Sequence, residues 1–89
     1  MKNLKRYYSI GEASEMTGVS QSSIRFWESH FFEYGFRRNG KNRKFLYKDI
    51  EKIKIIWYLL KVEKYTLEGT QRQLKLNYNK WKKVVKIKF

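Results

Sequence analysis

Few side chains in this sequence suit bond-making chemistry, and many can grip an anion. There is no cysteine and a single histidine, His30, among 89 residues. A metal site wants several nitrogen or sulfur ligands, so one lone histidine is read as a surface or helix-end residue. Glu28 is a helix carboxylate near Arg25, and the ordinary role for such a group is a structural ion pair. No Gly-rich phosphate loop, paired carboxylate or activated nucleophile appears. No enzyme, cofactor or metal is therefore expected. What remains is cationic. Arg25, Arg37, Arg38, Lys41, Arg43 and Lys44 offer guanidinium and ammonium groups. A guanidinium forks onto two oxygens of a phosphate or onto a base edge, and an ammonium acts as a point charge.

The placement of the cations sharpens this. The formal net charge is +13, a self-repulsion that a polyanionic partner relieves. Residues 1–33 and 49–68 each balance acids against bases. The whole excess lies in two acid-free blocks, 34–48 and 69–89. No segment has the roughly 18 consecutive apolar residues of a membrane span, and the amino terminus has no apolar run of a signal peptide. With no cysteine to oxidise, a cytoplasmic protein without a membrane partner is expected.

The elements that must hold these cations are signalled by local chemistry. Ser9-Ile10-Gly11-Glu12 has the form of a capping box, with Tyr8 and Ala13 at the two staple positions. It predicts a helix over 10–17 ended by Gly18, whose missing Cβ tolerates positive φ. Ser20 is the next cap, Val19 and Ile24 its staple pair, and a second helix follows over 21–30. Two short helices joined by Gly18-Val19-Ser20 have the length and the glycine of a helix-turn-helix. On the second helix, Gln21, Ser22, Arg25, Phe26 and Ser29 share one stripe, and Ile24, Trp27 and Phe31 the other.

Asn39-Gly40 between the short aromatic and basic runs 34–38 and 42–46 predicts a hairpin. Ile50, Ile53, Trp57 and Leu60, widened by Ile56 and Leu59, repeat at helical spacing and predict a helix over 49–63. Thr66 can cap a fourth helix over 67–76, although Gly69 in its first turn weakens the signal. Residues 77–89 continue a helical stripe and then alternate like a strand. Helix to about residue 85 is the reading preferred, and without proline nothing forbids a continuous helix from Leu67. Trp81, Val84, Val85 and Phe89 either cap the core or form a small partner surface.

The stretch YSIGEASEMTGVSQSSIRFWE, the hairpin with its Arg-x-aromatic, and KDIEKIKIIWYLLKVEKYTLEGTQRQLK together resemble the DNA-binding domain of the MerR family of transcriptional regulators. The resemblance covers residues 7 to about 76. It implies a mainly α winged helix-turn-helix with a small two-stranded β wing and two further helices. Residues 1–76 would form that domain and 77–89 a basic extension for dimerisation or DNA contact. Against the family pattern, the long dimerisation helix and effector domain are expected to be missing or cut to 77–89. The implied function is sequence-specific binding of double-stranded DNA, with helix 21–30 in the major groove and the wing, about 34–46, on the backbone or minor groove. Arg25, Phe26, Trp27 and Arg43 match family positions. The expected contact set is Gln21, Ser22, Arg25, Phe26, Trp27, Arg37, Arg38, Lys41, Arg43, Lys44 and Tyr47. Phe26 stands where the family usually has tyrosine, and Leu46 where Ser or Thr often caps the third helix. Expected partners are duplex DNA, a second copy of the chain, and RNA polymerase or a recombinase. The alternative reading is an excisionase-like architectural factor that bends DNA for a recombinase. A basic RNA-binding module ranks lower, for want of an aromatic ladder on a sheet.

Overall fold

The computed structural model describes residues 7–31 and 45–88. The expected hairpin arms over 34–44, with Arg37, Arg38, Lys41, Arg43 and Lys44, lie outside the described residues. Helix α1 spans Ile10–Thr17. The Ser9 hydroxyl accepts from the Glu12 amide at 3.1 Å, and the Glu12 carboxylate accepts from the Ser9 amide at 2.9 Å, which completes the capping box. Gly18 ends the helix at φ 77°, ψ 11°. Three side-chain bonds brace the turn. Thr17 Oγ1 donates to the Ala13 carbonyl at 2.8 Å and accepts from the Val19 amide at 3.2 Å. Ser14 Oγ donates to the Val19 carbonyl at 2.6 Å.

Helix α2 spans Gln21–His30, with Ser20 Oγ accepting from the Ser23 amide at 3.2 Å. Val19, Ile24, Trp27 and Phe31 are all buried beside Ala13 of α1. The expected inner stripe is therefore the observed one, and it is what fixes the angle at which the opposite face meets solvent.

Among the described residues there is no strand. Tyr8 and Phe45 instead form one isolated antiparallel bridge, exchanging amide–carbonyl bonds of 2.7 and 2.8 Å. This bridge ties the expected second hairpin arm to Tyr8, the residue before the α1 cap.

Helix α3 spans Tyr47–Trp57, starting two residues earlier than the sequence suggested. Leu46 has no polar side chain to cap it. Only the reciprocal half of a box forms, with the Leu46 amide donating to the buried Asp49 carboxylate at 2.9 Å. The helix then widens into a π-helical turn over Tyr58–Val62. Ile50, Ile53, Ile55, Ile56 and Leu59 are fully buried, so α3 is the central post of the core. Lys64 takes φ 62°, and the Tyr65 amide reaches back to the Leu59 carbonyl at 2.8 Å. A bond closing back over a left-handed residue is the usual way a helix stops at glycine; here it spans one residue more, after the π turn, and a lysine occupies the left-handed position.

Helix α4 spans Leu67–Leu76, capped by Thr66 Oγ1 accepting from the Gly69 amide at 2.9 Å. A Cβ on Gly69 would lie 3.2 Å from both Thr66 Oγ1 and the Tyr65 ring. The glycine that weakened the sequence signal thus makes room for the cap. Asn77, at φ −131° and ψ 35°, separates α4 from helix α5, Tyr78–Lys88. The expectation of two helices after the hairpin becomes three. The break is held by Gln73, whose side-chain oxygen accepts from Asn77 Nδ2 at 3.0 Å and from Trp81 Nε1 at 2.7 Å. Trp81 and Val85 are buried in the core. Both helices α1 and α5 pack on α3, while α4 packs on α5 and the π turn.

Candidate nucleic-acid interface

The second helix divides its residues cleanly. Gln21, Ser22, Arg25, Phe26 and Ser29 are exposed, whereas Ile24, Trp27 and Glu28 are buried. The outer stripe is polar at its amino-terminal end. There Ser20 Oγ also meets Ser22 Oγ at 3.4 Å and Ser23 Oγ at 3.0 Å, a small hydroxyl cluster. Helix geometry leaves the Gln21 and Ser22 amides without an intrahelical acceptor, and the helix dipole places partial positive charge beside them. An anion or an acceptor-rich base edge suits this end, and Arg25 stands one turn further along the same face.

Two expected contacts change meaning. Trp27 is 5% exposed. Its ring is spent on the core, so it is corrected from a DNA contact to a support that seats α2. Phe26, 53% exposed, is the outward member of the aromatic pair. It stacks on His30 with ring centroids 5.6 Å apart and planes at 16°. His30 is the last residue of α2, and its carbonyl accepts from Gln71 Nε2 at 3.3 Å. Glu28 is 2% exposed, one turn along α2 from exposed Arg25.

Tyr47 opens α3 and is 42% exposed, its ring centroid 6.5 Å from that of Tyr8. Tyr8 precedes the α1 cap, and a Cβ on Gly11 would lie 3.7 Å from Gln21 Nε2. Tyr47 thus borders buried Tyr8, and the start of α1 borders the start of α2. The Tyr8–Phe45 bridge brings the main chain following residue 44 beside the residue before the α1 cap.

The basic extension 77–89, expected to serve dimerisation or DNA contact, supplies a further basic surface. Lys54 of α3 and Lys82 and Lys86 of α5 line one hollow with Tyr47, Glu51 and Val85. Its signal was the acid-free run 69–89, but only the docking of α5 on α3 shows which lysines gather. Among the described residues no group of three histidine, aspartate or glutamate side chains is placed to hold a metal ion. No described helix is long and apolar enough to cross a membrane.

Residues 8–76 match the model of the MerR HTH family of regulatory proteins. A similar protein is Regulator protein TubY of Clostridium botulinum C phage, 33% identical over 67 residues. The matched region is 74% of this chain and 28% of that protein, so the chain spans well under half of its relative's length. No solved structure gives a significant match. The capped helix pair, its left-handed glycine turn and the family match over most of the chain agree: this protein belongs to the MerR helix-turn-helix family of regulatory proteins.

Proposed function

We propose that the protein is a transcriptional regulator that reads duplex DNA with α2 in the major groove. The observation that carries this is the outer stripe of α2. Gln21, Ser22 and Arg25 are exposed at the positive end of a capped helix, while its inner stripe is locked in the core. Arg25 forks onto a guanine edge or a phosphate, and Gln21 and Ser22 are short enough to reach base edges or backbone oxygens. Phe26 offers an apolar contact for a thymine methyl in place of a phenolic hydroxyl. The basic hairpin, with Arg37, Arg38, Lys41, Arg43 and Lys44, follows the adjacent backbone or minor groove. The Tyr8–Phe45 bridge, which holds the main chain after residue 44 close to the start of α1, supports that placement. The family description and the relative's name support regulation over the architectural, recombinase-linked role.

Selection of bound sequences from random duplex DNA, followed by anisotropy titration, tests the reading. Arg25→Ala should reduce the preference for the selected site over a scrambled one by tenfold or more, since a bidentate arginine contributes about 1–3 kcal/mol of discrimination. Lys41→Ala should weaken all sequences alike. No sequence preference in the wild-type protein, or equal uniform losses from both variants, would refute the assignment of α2 as the reader.

A further inference from the structure

Two hollows lie side by side along α5. One, of about 170 Å³, is lined by Tyr47, Glu51, Lys54, Lys82, Val85 and Lys86. The other, of about 350 Å³, is lined by Asn79, Lys82, Lys83 and Lys86. Lys82 and Lys86, one turn apart on α5, form the ridge between them. Lys54, Lys82, Lys83 and Lys86 line the two hollows together with one carboxylate. That carboxylate, Glu51, lies 4.0 Å from Lys82 Nζ, and the Lys82 side chain remains 44% exposed. Lys83 and Lys86 are exposed, and no acidic residue occurs in α5. Lys80, by contrast, is drawn over the Trp81 ring at 4.8 Å and lies outside both hollows.

This clustering is built by folding. Trp81 and Val85 bury the inner face of α5, and helical periodicity turns Lys82, Lys83 and Lys86 outward together. Bringing like charges together costs free energy, and a row of phosphates lowers that cost. The surface also has a neighbour. Tyr47 lines the first hollow and lies beside Tyr8, which precedes the α1 cap.

We propose that the α3–α5 lysine ridge is a second DNA-backbone surface, gripping phosphates that flank the site read by α2. The proposal rests on the DNA-binding reading above and adds to it a contact outside the helix-turn-helix and hairpin. The ridge recognises charge and spacing, so it adds affinity and salt dependence without adding sequence preference. It also requires DNA longer than the core site.

The test compares the wild-type chain with the Lys82→Gln, Lys83→Gln, Lys86→Gln triple variant, using anisotropy titrations across a salt series. A control carries Lys61→Gln, Lys64→Gln and Lys75→Gln, removing equal charge from exposed positions away from the ridge. Circular dichroism establishes that each variant is folded. Each phosphate engaged contributes about 0.9 to the log–log salt slope on duplex DNA. The ridge variant should flatten that slope by about 2 to 3 on extended duplexes, with relative preference among sequences unchanged. It should behave like wild type on a duplex trimmed to the core site. An unchanged slope, or an equal change in the control, would overturn the ridge. A larger loss on double-stranded RNA than on DNA would overturn the choice of partner. If the ridge variant matches wild type while Arg25→Ala still loses discrimination, the ridge fails and the reading by α2 stands. If wild type shows no sequence preference but the ridge variant flattens the slope, the reading by α2 fails and the ridge stands. A wild-type chain with no DNA affinity would sink both.

Discussion

Replacing Trp81 by alanine should be among the most damaging changes in the molecule, because Trp81 is what seats α5. Its side chain is 6% exposed and lies 6.1 Å, centroid to centroid, from each of Tyr58 and Tyr65. Deleting a buried tryptophan costs about 3–5 kcal/mol through lost transfer energy and the cavity left behind. The indole bond to Gln73 adds little to that figure, since Gln73 Oε1 keeps Asn77 Nδ2 at 3.0 Å and is not orphaned. For a chain of 89 residues, total stability is on the order of 4–13 kcal/mol, so Trp81→Ala should remove a large share of it. A urea melt would show the midpoint falling steeply. Trp81→Phe, which keeps the aromatic bulk and drops the N–H, should cost far less. Because the packing is within one chain, the loss should be the same at protein concentrations tenfold apart. A loss below about 1 kcal/mol would refute the docking of α5 on α3. A loss that grows on dilution would show instead that Trp81 holds two chains together.

Three further changes probe features specific to this chain. Lys64 holds a left-handed conformation, φ 62°, so Lys64→Gly should raise stability by roughly 0.5–1 kcal/mol in thermal melts, and a decrease would contradict a strained stop. Thr70 is fully buried, and its hydroxyl has no hydrogen-bond partner among the described residues; Thr70→Val should therefore stabilise the fold by about 1 kcal/mol, whereas a loss of that size would reveal a hidden partner. Tyr78 has its pKa raised from 10.0 to about 12, first by burial and then by Glu51 and Asp49. The folded state holds this proton more tightly than the unfolded chain, so the contribution is complete below pH 10 and lost as pH rises through 12. Tyr78→Phe should remove that part of the alkaline decline and the tyrosinate absorbance step near pH 12, and retention of both would exclude Tyr78 as their source.

What could be read from sequence was mostly local. Ser9 with Glu12, Ser20, Thr66 and Gly18 act on backbone within a few residues, so helices 10–17, 21–30 and 67–76 appear where those signals place them. The outer stripe of α2 followed from periodicity alone. Trp27 shows how a motif can mislead: it was carried over as half of an aromatic pair, while its spacing from Ile24 already put it on the buried side. The start of α3 was misjudged because Leu46 gives no polar signal, and Asp49 supplies the cap from within the helix. The π turn and the stop at Lys64 were unreadable, since both depend on how the end of α3 packs. The break at Asn77 depends on Gln73 receiving Trp81 from the following helix, a contact that exists only after α5 has folded back. The same docking decides between the two roles left open for Trp81 and Val85, in favour of the core.

The paired main chains of Tyr8 and Phe45 act as a clasp on everything strung between them. Phe31 and Phe45, both sunk in the core, anchor the two ends of the intervening segment, while the helix beginning at Tyr47 continues undisturbed beyond it. Closing a longer segment between fixed anchors is inexpensive, since doubling its length costs only about 0.6 kcal/mol. Insertions and deletions between the anchors can accordingly be sampled by evolution, or by a designer, without repacking the body.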